Sequence, residues 1–174
     1  MSTLVILGAS ITGLAVARDA HRHGLRSVVV DFTDGPGLHS RRAAPVKVGA
    51  TSEVATIDRI LSLGGPQAAL ISTSDDWIRF VIEHRLVLSA AFGMIVQPEN
   101  ATLELCLDKM AFSEWCIASG LPCPMAWIPG RGLRPTSLGF PVLLRPVRTL
   151  HGDRELGRAR HRAAGGESSG PVPV

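Results

Sequence analysis

The 174-residue chain contains no tyrosine, and phenylalanine and tryptophan bring the aromatic content to only 5%. Without tyrosine, the Tyr-x-x-x-Lys pair of one common hydride-transfer arrangement is excluded. Cysteine is scarce too: Cys106, Cys116 and Cys123 are odd in number and lack Cys-x-x-Cys spacing. Neither a disulfide framework nor a zinc site is expected, and a reducing, cytoplasmic setting fits this usage best. No apolar run approaches the roughly 20 residues that span a bilayer, so no membrane partner is expected. The formal charge of +3 is not concentrated, since residues 1–150 carry 14 basic and 12 acidic side chains and the last 24 residues carry 4 and 3. No basic stripe interleaved with aromatics exists, and the small cluster Arg41, Arg42 and Lys47 reads as a solvated loop. Nucleic acid is therefore not an expected partner. The apolar start ends in Ala15-Val16-Ala17, which looks like a signal cleavage site. However, no Lys or Arg precedes it and two glycines interrupt it, so it reads as core.

What is present is concentrated in Leu4 to Asp31. Leu4-Val5-Ile6-Leu7 is short, apolar and bounded by glycine, as a buried parallel strand should be. The turn Gly8-Ala9-Ser10-Ile11-Thr12-Gly13 leads into an apolar helical face at Ile11, Leu14, Ala15 and Ala17, and Gly24 stands where that helix should end. Val28-Val29-Val30 make a second buried strand that closes on Asp31. Such a strand–turn–helix–strand unit predicts a doubly wound α/β domain, a Rossmann-like parallel sheet with helices on both faces. The turn admits two readings. Gly8 permits a tight turn, Gly13 lets the helix pack close to the strand, and the first helical amides would offer a phosphate donors and a favourable dipole. Asp31, 18 residues after Gly13, stands near the spacing at which a carboxylate meets a ribose hydroxyl, although Ser10 replaces the middle glycine of G-x-G-x-x-G. Alternatively, the glycines only make a tight βα turn.

Further along, Phe32 to Ala44 reads as a surface loop and Val46 and Val48 as a short strand. Thr51 or Ser52 is expected to cap a helix reaching Leu63, with Gly64-Gly65 stopping it. Ala68 to Ser72 reads as a third buried strand. Ser74-Asp75-Asp76 then gives a cap and two first-turn carboxylates, the arrangement a helix dipole favours, rather than a catalytic or magnesium pair. Leu86 to Val96 is expected to hold another strand. Residues 1–97 thus form one α/β domain. From Pro98 the organisation changes: Ala101 to Leu107 looks helical, Asp108-Lys109 sits at a junction, and Phe112, Trp115, Cys116 and Ala118 lie on a further helix ended by Gly120. Leu121-Pro122-Cys123-Pro124 must be extended, with short strands expected at 125–128 and 141–145. Residues 151–174 have no branched aliphatic residue between Leu156 and Val172, so this tail is expected to be disordered.

The run LELCLDKMAFSEWCIASGLPCPMAW, followed by GFPVLLRP, resembles the entry into an ATP-grasp domain. In that superfamily an Asp-Lys helix leads to a Gly-(Ile/Leu)-Pro-x-Pro segment and a Phe-Pro-Val-(apolar)-(apolar)-Lys-Pro strand. The α/β domain before it, with its glycine turn and its Ser-Asp-Asp after a later strand, is similar to the pre-ATP-grasp domain. Ser40-Arg41 fits the carboxylate–amine ligase branch, the group that resembles D-aspartate ligases and carbamoyl-phosphate synthase large subunits. The resemblance covers residues 4–150, with 98–150 as the beginning of an incomplete ATP-grasp domain.

The resemblance implies that the full-length form uses MgATP to activate a carboxylate as an acyl phosphate, which an amine attacks to give an amide. Its partners would be small-molecule carboxylate and amine substrates. Lys109 matches a family lysine that contacts ATP phosphates. The second such position is Arg145, where arginine keeps the charge but presents a planar fork. The phosphate loop, adenine segment and Mg2+ ligands of the family lie beyond this strand, so no metal ligand can be named here. The chain reads as a truncated ligase fragment, inactive alone and prone to self-associate through surface that the rest of the domain would cover. The alternative from Gly8, Ser10, Gly13 and Asp31 is a small NAD(P)-binding Rossmann protein, an oxidoreductase or a sensor. A third is a residual fold serving only as an interaction partner.

Overall fold

Short runs of β-branched and aliphatic residues alternate with helices to build a parallel sheet. The computed structural model describes residues 2–128 and Val147. Its elements are β1 (Thr3–Leu7), α1 (Ile11–Arg22), β2 (Arg26–Asp31), β3 (Ala44–Lys47), α2 (Val54–Leu61), β4 (Gly65–Ser72), α3 (Asp75–Ala91), β5 (Phe92–Ile95), α4 (Asn100–Leu107) and α5 (Lys109–Ala118). The chain divides into two compact units, Met1–Glu104 and Leu105–Val174.

In the first unit the strand order is β3-β2-β1-β4-β5, and every pairing is parallel. β1 is central: Val5 lies opposite Val28 on one side and Leu70 on the other. Its side chains alternate between two cores, as the period of a strand dictates. Val5 and Leu7 join Ile60 of α2 and Trp77, Phe80, Val81 and Leu88 of α3. Ile6 joins Val29, Leu38 and Ala17 of α1 on the opposite face. Helices therefore cover both faces, as the α/β reading of the sequence requires.

Two glycines allow the first crossover to be this tight. Gly8 has φ +110°, a conformation side chains rarely adopt, and a Cβ there would come within 2.5 Å of the Thr73 hydroxyl. At Gly13 a Cβ would overlap the carbonyl oxygen of Gly8, so only glycine lets α1 start so near β1. The β2–β3 connection has no helix. A loop over residues 32–43 suffices, about the dozen residues that a parallel crossover needs.

Several boundaries differ from the sequence expectation. α2 is capped by neither Thr51 nor Ser52. Its N-cap is Glu53, whose carboxylate accepts from the Ala50 amide at 3.0 Å, and the helix ends at Leu61 rather than Leu63. The strand expected from Leu86 is confined to Phe92–Ile95, because α3 continues to Ala91. Trp77, Phe80, Val81 and Leu88 are buried along one helical face, while Leu86 and Val87 point to solvent and blur the pattern. Residues 121–128 carry no regular secondary structure, so the strand expected at 125–128 is not formed among the described residues. The strand expected at 141–145, Arg145 within it, and the tail 151–174 lie outside the described residues.

Candidate functional site

In the first unit the turn after β1 and the turn after β4 lie side by side at the carboxyl ends of adjacent strands, where an α/β sheet presents ligands. Thr73 joins the two turns. Its amide donates to the Leu7 carbonyl at 2.8 Å, and its hydroxyl reaches the Leu7 and Gly8 carbonyls at 3.1 and 3.2 Å. Ser10 occupies the N-cap of α1 without a side-chain capping bond, and Ser10, Ile11 and Thr12 are exposed. Gly8, Ser10 and Gly13 are thus brought together at the start of α1.

Asp31 is brought there as well, but it turns inward. It is only 6% exposed. Its Oδ2 accepts from the Ala9 amide at 2.6 Å, and its Oδ1 accepts from the Phe32 amide at 2.8 Å, the Thr33 amide at 3.3 Å and the Trp77 indole N–H at 3.2 Å. The same turn amide that would greet a phosphate therefore already holds a carboxylate.

The acids after β4 divide their roles. Ser74 is the N-cap of α3 by position, with no side-chain capping bond, and Asp75 and Asp76 lie in its first turn. Asp76 pairs with Arg79 at 3.6 Å. Together with Glu53, Ile57, Phe80 and His84 they line a cleft of about 350 Å³ between α2 and α3. Sequence reading passed over Thr73 and Gln97. The Gln97 amide nitrogen donates to the Ser72 hydroxyl, and its oxygen, though buried, has no hydrogen-bond partner among the described residues. Nothing local in the sequence signals either role, because both partners are distant in the chain.

In the second unit Asp108 caps α5, its carboxylate accepting from the Met110 and Ala111 amides at 3.1 and 3.0 Å. Lys109 is the first residue of that helix, half-buried, and its amide donates to the Val147 carbonyl at 3.1 Å. A lysine at a helix start opposes the dipole unless an anion is near, and Asp108 supplies one. The amides of this first turn are already taken, by the Val147 carbonyl and by Asp108, so the group here suited to phosphate oxygens is the Lys109 ammonium. For magnesium the described residues offer no group of three His, Cys, Asp or Glu side chains placed to hold a metal. No described helix is long and apolar enough to cross a membrane.

No protein-family model and no curated protein matches the sequence. Solved structures do share the fold. N5-carboxyaminoimidazole ribonucleotide synthetase from Thermotoga maritima superposes with a TM-score of 0.53 at 17% identity, covering 72% of this chain and 33% of that one. The L-amino acid ligase from Bacillus licheniformis gives 0.59 at 18% identity over 94% of this chain and 42% of that one. A single-chain, multi-domain long-chain acyl-CoA carboxylase gives 0.52 at 22% identity over 76% of this chain and 14% of that one. The chain spans about a third of the length of the synthetases it matches. The α/β fold expected from the sequence is thus found in the structure and is shared with these solved proteins.

Proposed function

We propose that residues 1–97 are a pre-ATP-grasp domain and that residues 98–150 begin an ATP-grasp domain, both belonging to a cytoplasmic carboxylate–amine ligase. The observation that carries this reading is the order of parts. The sheet β3-β2-β1-β4-β5 is followed by an Asp108-capped helix opening on Lys109, within a fold shared with synthetases and an amino acid ligase. A purK synthetase has been solved as an ADP complex, which favours ATP as the co-substrate here.

In this reading a carboxylate takes the terminal phosphoryl group of ATP, releasing ADP, and an amine then displaces inorganic phosphate from the acyl phosphate, losing a proton to give the amide. Lys109 and Arg145 bind phosphate oxygens and offset charge on the transferred group. Lys109 acts as a point charge held at the start of α5, and Arg145 as a planar fork. Mg2+ accompanies the nucleotide in the full-length form, with ligands supplied from outside the described residues.

The experiment joins this chain, after Arg145-Pro146, to the remainder of an ATP-grasp domain and measures ADP formation. Turnover that requires both an amino-acid or peptide carboxylate and an amine is the expected result. Absence of ADP formation with every such pair, from a folded protein, overturns the reading.

A further inference from the structure

The glycine turn is a motif to which the ligase reading gives no ligand. We propose that it is an anion site occupied by the protein's own Asp31, and so a positioning device rather than a nucleotide site. Four N–H groups from three places converge on that carboxylate: Ala9 of the turn, Phe32 and Thr33 after β2, and Trp77 of α3. None of the described ion pairs includes Asp31, so these oriented dipoles balance its charge. Oriented N–H dipoles hold phosphates in the same way, and the donor that the glycine turn contributes here is the Ala9 amide.

The Ala9 end of the turn is covered as well, although Ser10, Ile11 and Thr12 stay exposed. Ala9 is fully buried, and its carbonyl accepts from the Gly37 amide at 2.8 Å. A Cβ on Gly35 would come within 2.6 Å of the Ala9 carbonyl oxygen, and one on Gly37 within 2.9 Å of the Ala9 Cα. The β2–β3 loop therefore lies directly on the turn, and two glycines let it do so. A pyrophosphate reaching the Ala9 amide would have to displace both this loop and a buried carboxylate. Asp31 instead ties the β1–α1 turn, the end of β2 and α3 together. None of this depends on ATP turnover.

The test uses Asp31→Ala in the full chain, with formate as a free carboxylate probe. The variant should melt roughly 5 °C or more below wild type. Sodium formate should restore much of that loss and return the Trp77 indole N–H resonance towards its wild-type position, whereas sodium chloride at equal ionic strength should not. Identical effects of formate and chloride would overturn the proposal. So would a shift of the wild-type Ala9 amide resonance on titration with inorganic phosphate or NAD(H). If Asp31→Ala does not fold, Asp31→Asn decides by hydrogen exchange. Its Ala9 amide should exchange at least ~10-fold faster than wild type, a loss of about one charge-assisted hydrogen bond's strength, and an unchanged rate would sink the idea.

Discussion

A methyl group at position 13 would overlap the Gly8 carbonyl oxygen, which belongs to backbone and cannot step aside. Gly13→Ala is therefore expected to cost about 3 kcal/mol, the upper end of overpacking effects, read as a lower midpoint in urea. Trp77 shows how a single polar atom in a core acquires a role. Its ring is 1% exposed, lies 5.5 Å from Phe32 and 5.3 Å from Phe80 between centroids, and its N–H donates to Asp31. Trp77→Phe keeps most of the apolar contact and removes that donor, so about 1.5–3 kcal/mol should be lost, as for a hydrogen bond to a charged group. Lys109→Ala should behave in the opposite way. Thermal stability should fall by no more than about 1 kcal/mol, an ordinary cost for a point substitution, while ADP binding by the ligase assembled for the turnover assay weakens. An equal loss of stability and binding would make Lys109 a structural residue.

Two helix starts contrast at the next scale. Asp108 at the start of α5 accepts from two helical amides, whereas Ser74 at the start of α3 accepts from none. Asp108→Ala should cost about 1 kcal/mol and Ser74→Ala close to nothing, although both are cap residues by type and position. Comparison of the two variants by chemical denaturation checks this directly. α3 also shows where periodicity misleads. Leu86 and Val87, exposed at 86% and 45%, fill the polar face with apolar residues and make Leu86–Val96 look like a strand. Burial of Leu88, one face and two turns on from Phe80 and Val81, places the helix end at Ala91 instead. Leu88→Ala should cost about 2–5 kcal/mol, and Leu86→Ala far less.

For the molecule as a whole, the exposed apolar residues of the second unit matter most. Phe112 and Trp115 stack at 6.0 Å between centroids, and both remain more than 40% exposed, with Ile117 at 66%. Apolar exposure of this kind on one helix favours association, and concentration-dependent light scattering that Trp115→Lys reduces is the expected outcome. A monodisperse monomer at every concentration would remove self-association from the account.

The amino-acid order alone determined the alternation of strands and helices, the glycine turn, the parallel sheet and the start of α5. These follow from local rules: apolar runs of strand length, helical spacing and capping residues act over a few positions. The motifs on which the proposed function rests were legible too, since they stand in a fixed order, Asp108-Lys109 before Leu121-Pro122-Cys123-Pro124. Only the tertiary structure decided what Asp31 does. Its partners Ala9 and Trp77 lie 22 and 46 residues away, and no spacing rule separates a carboxylate that awaits a ribose from one that turns inward. Folding brings the end of β2 beside the turn after β1. Burial then shields the carboxylate from solvent, and the nearest backbone and indole N–H groups become its partners.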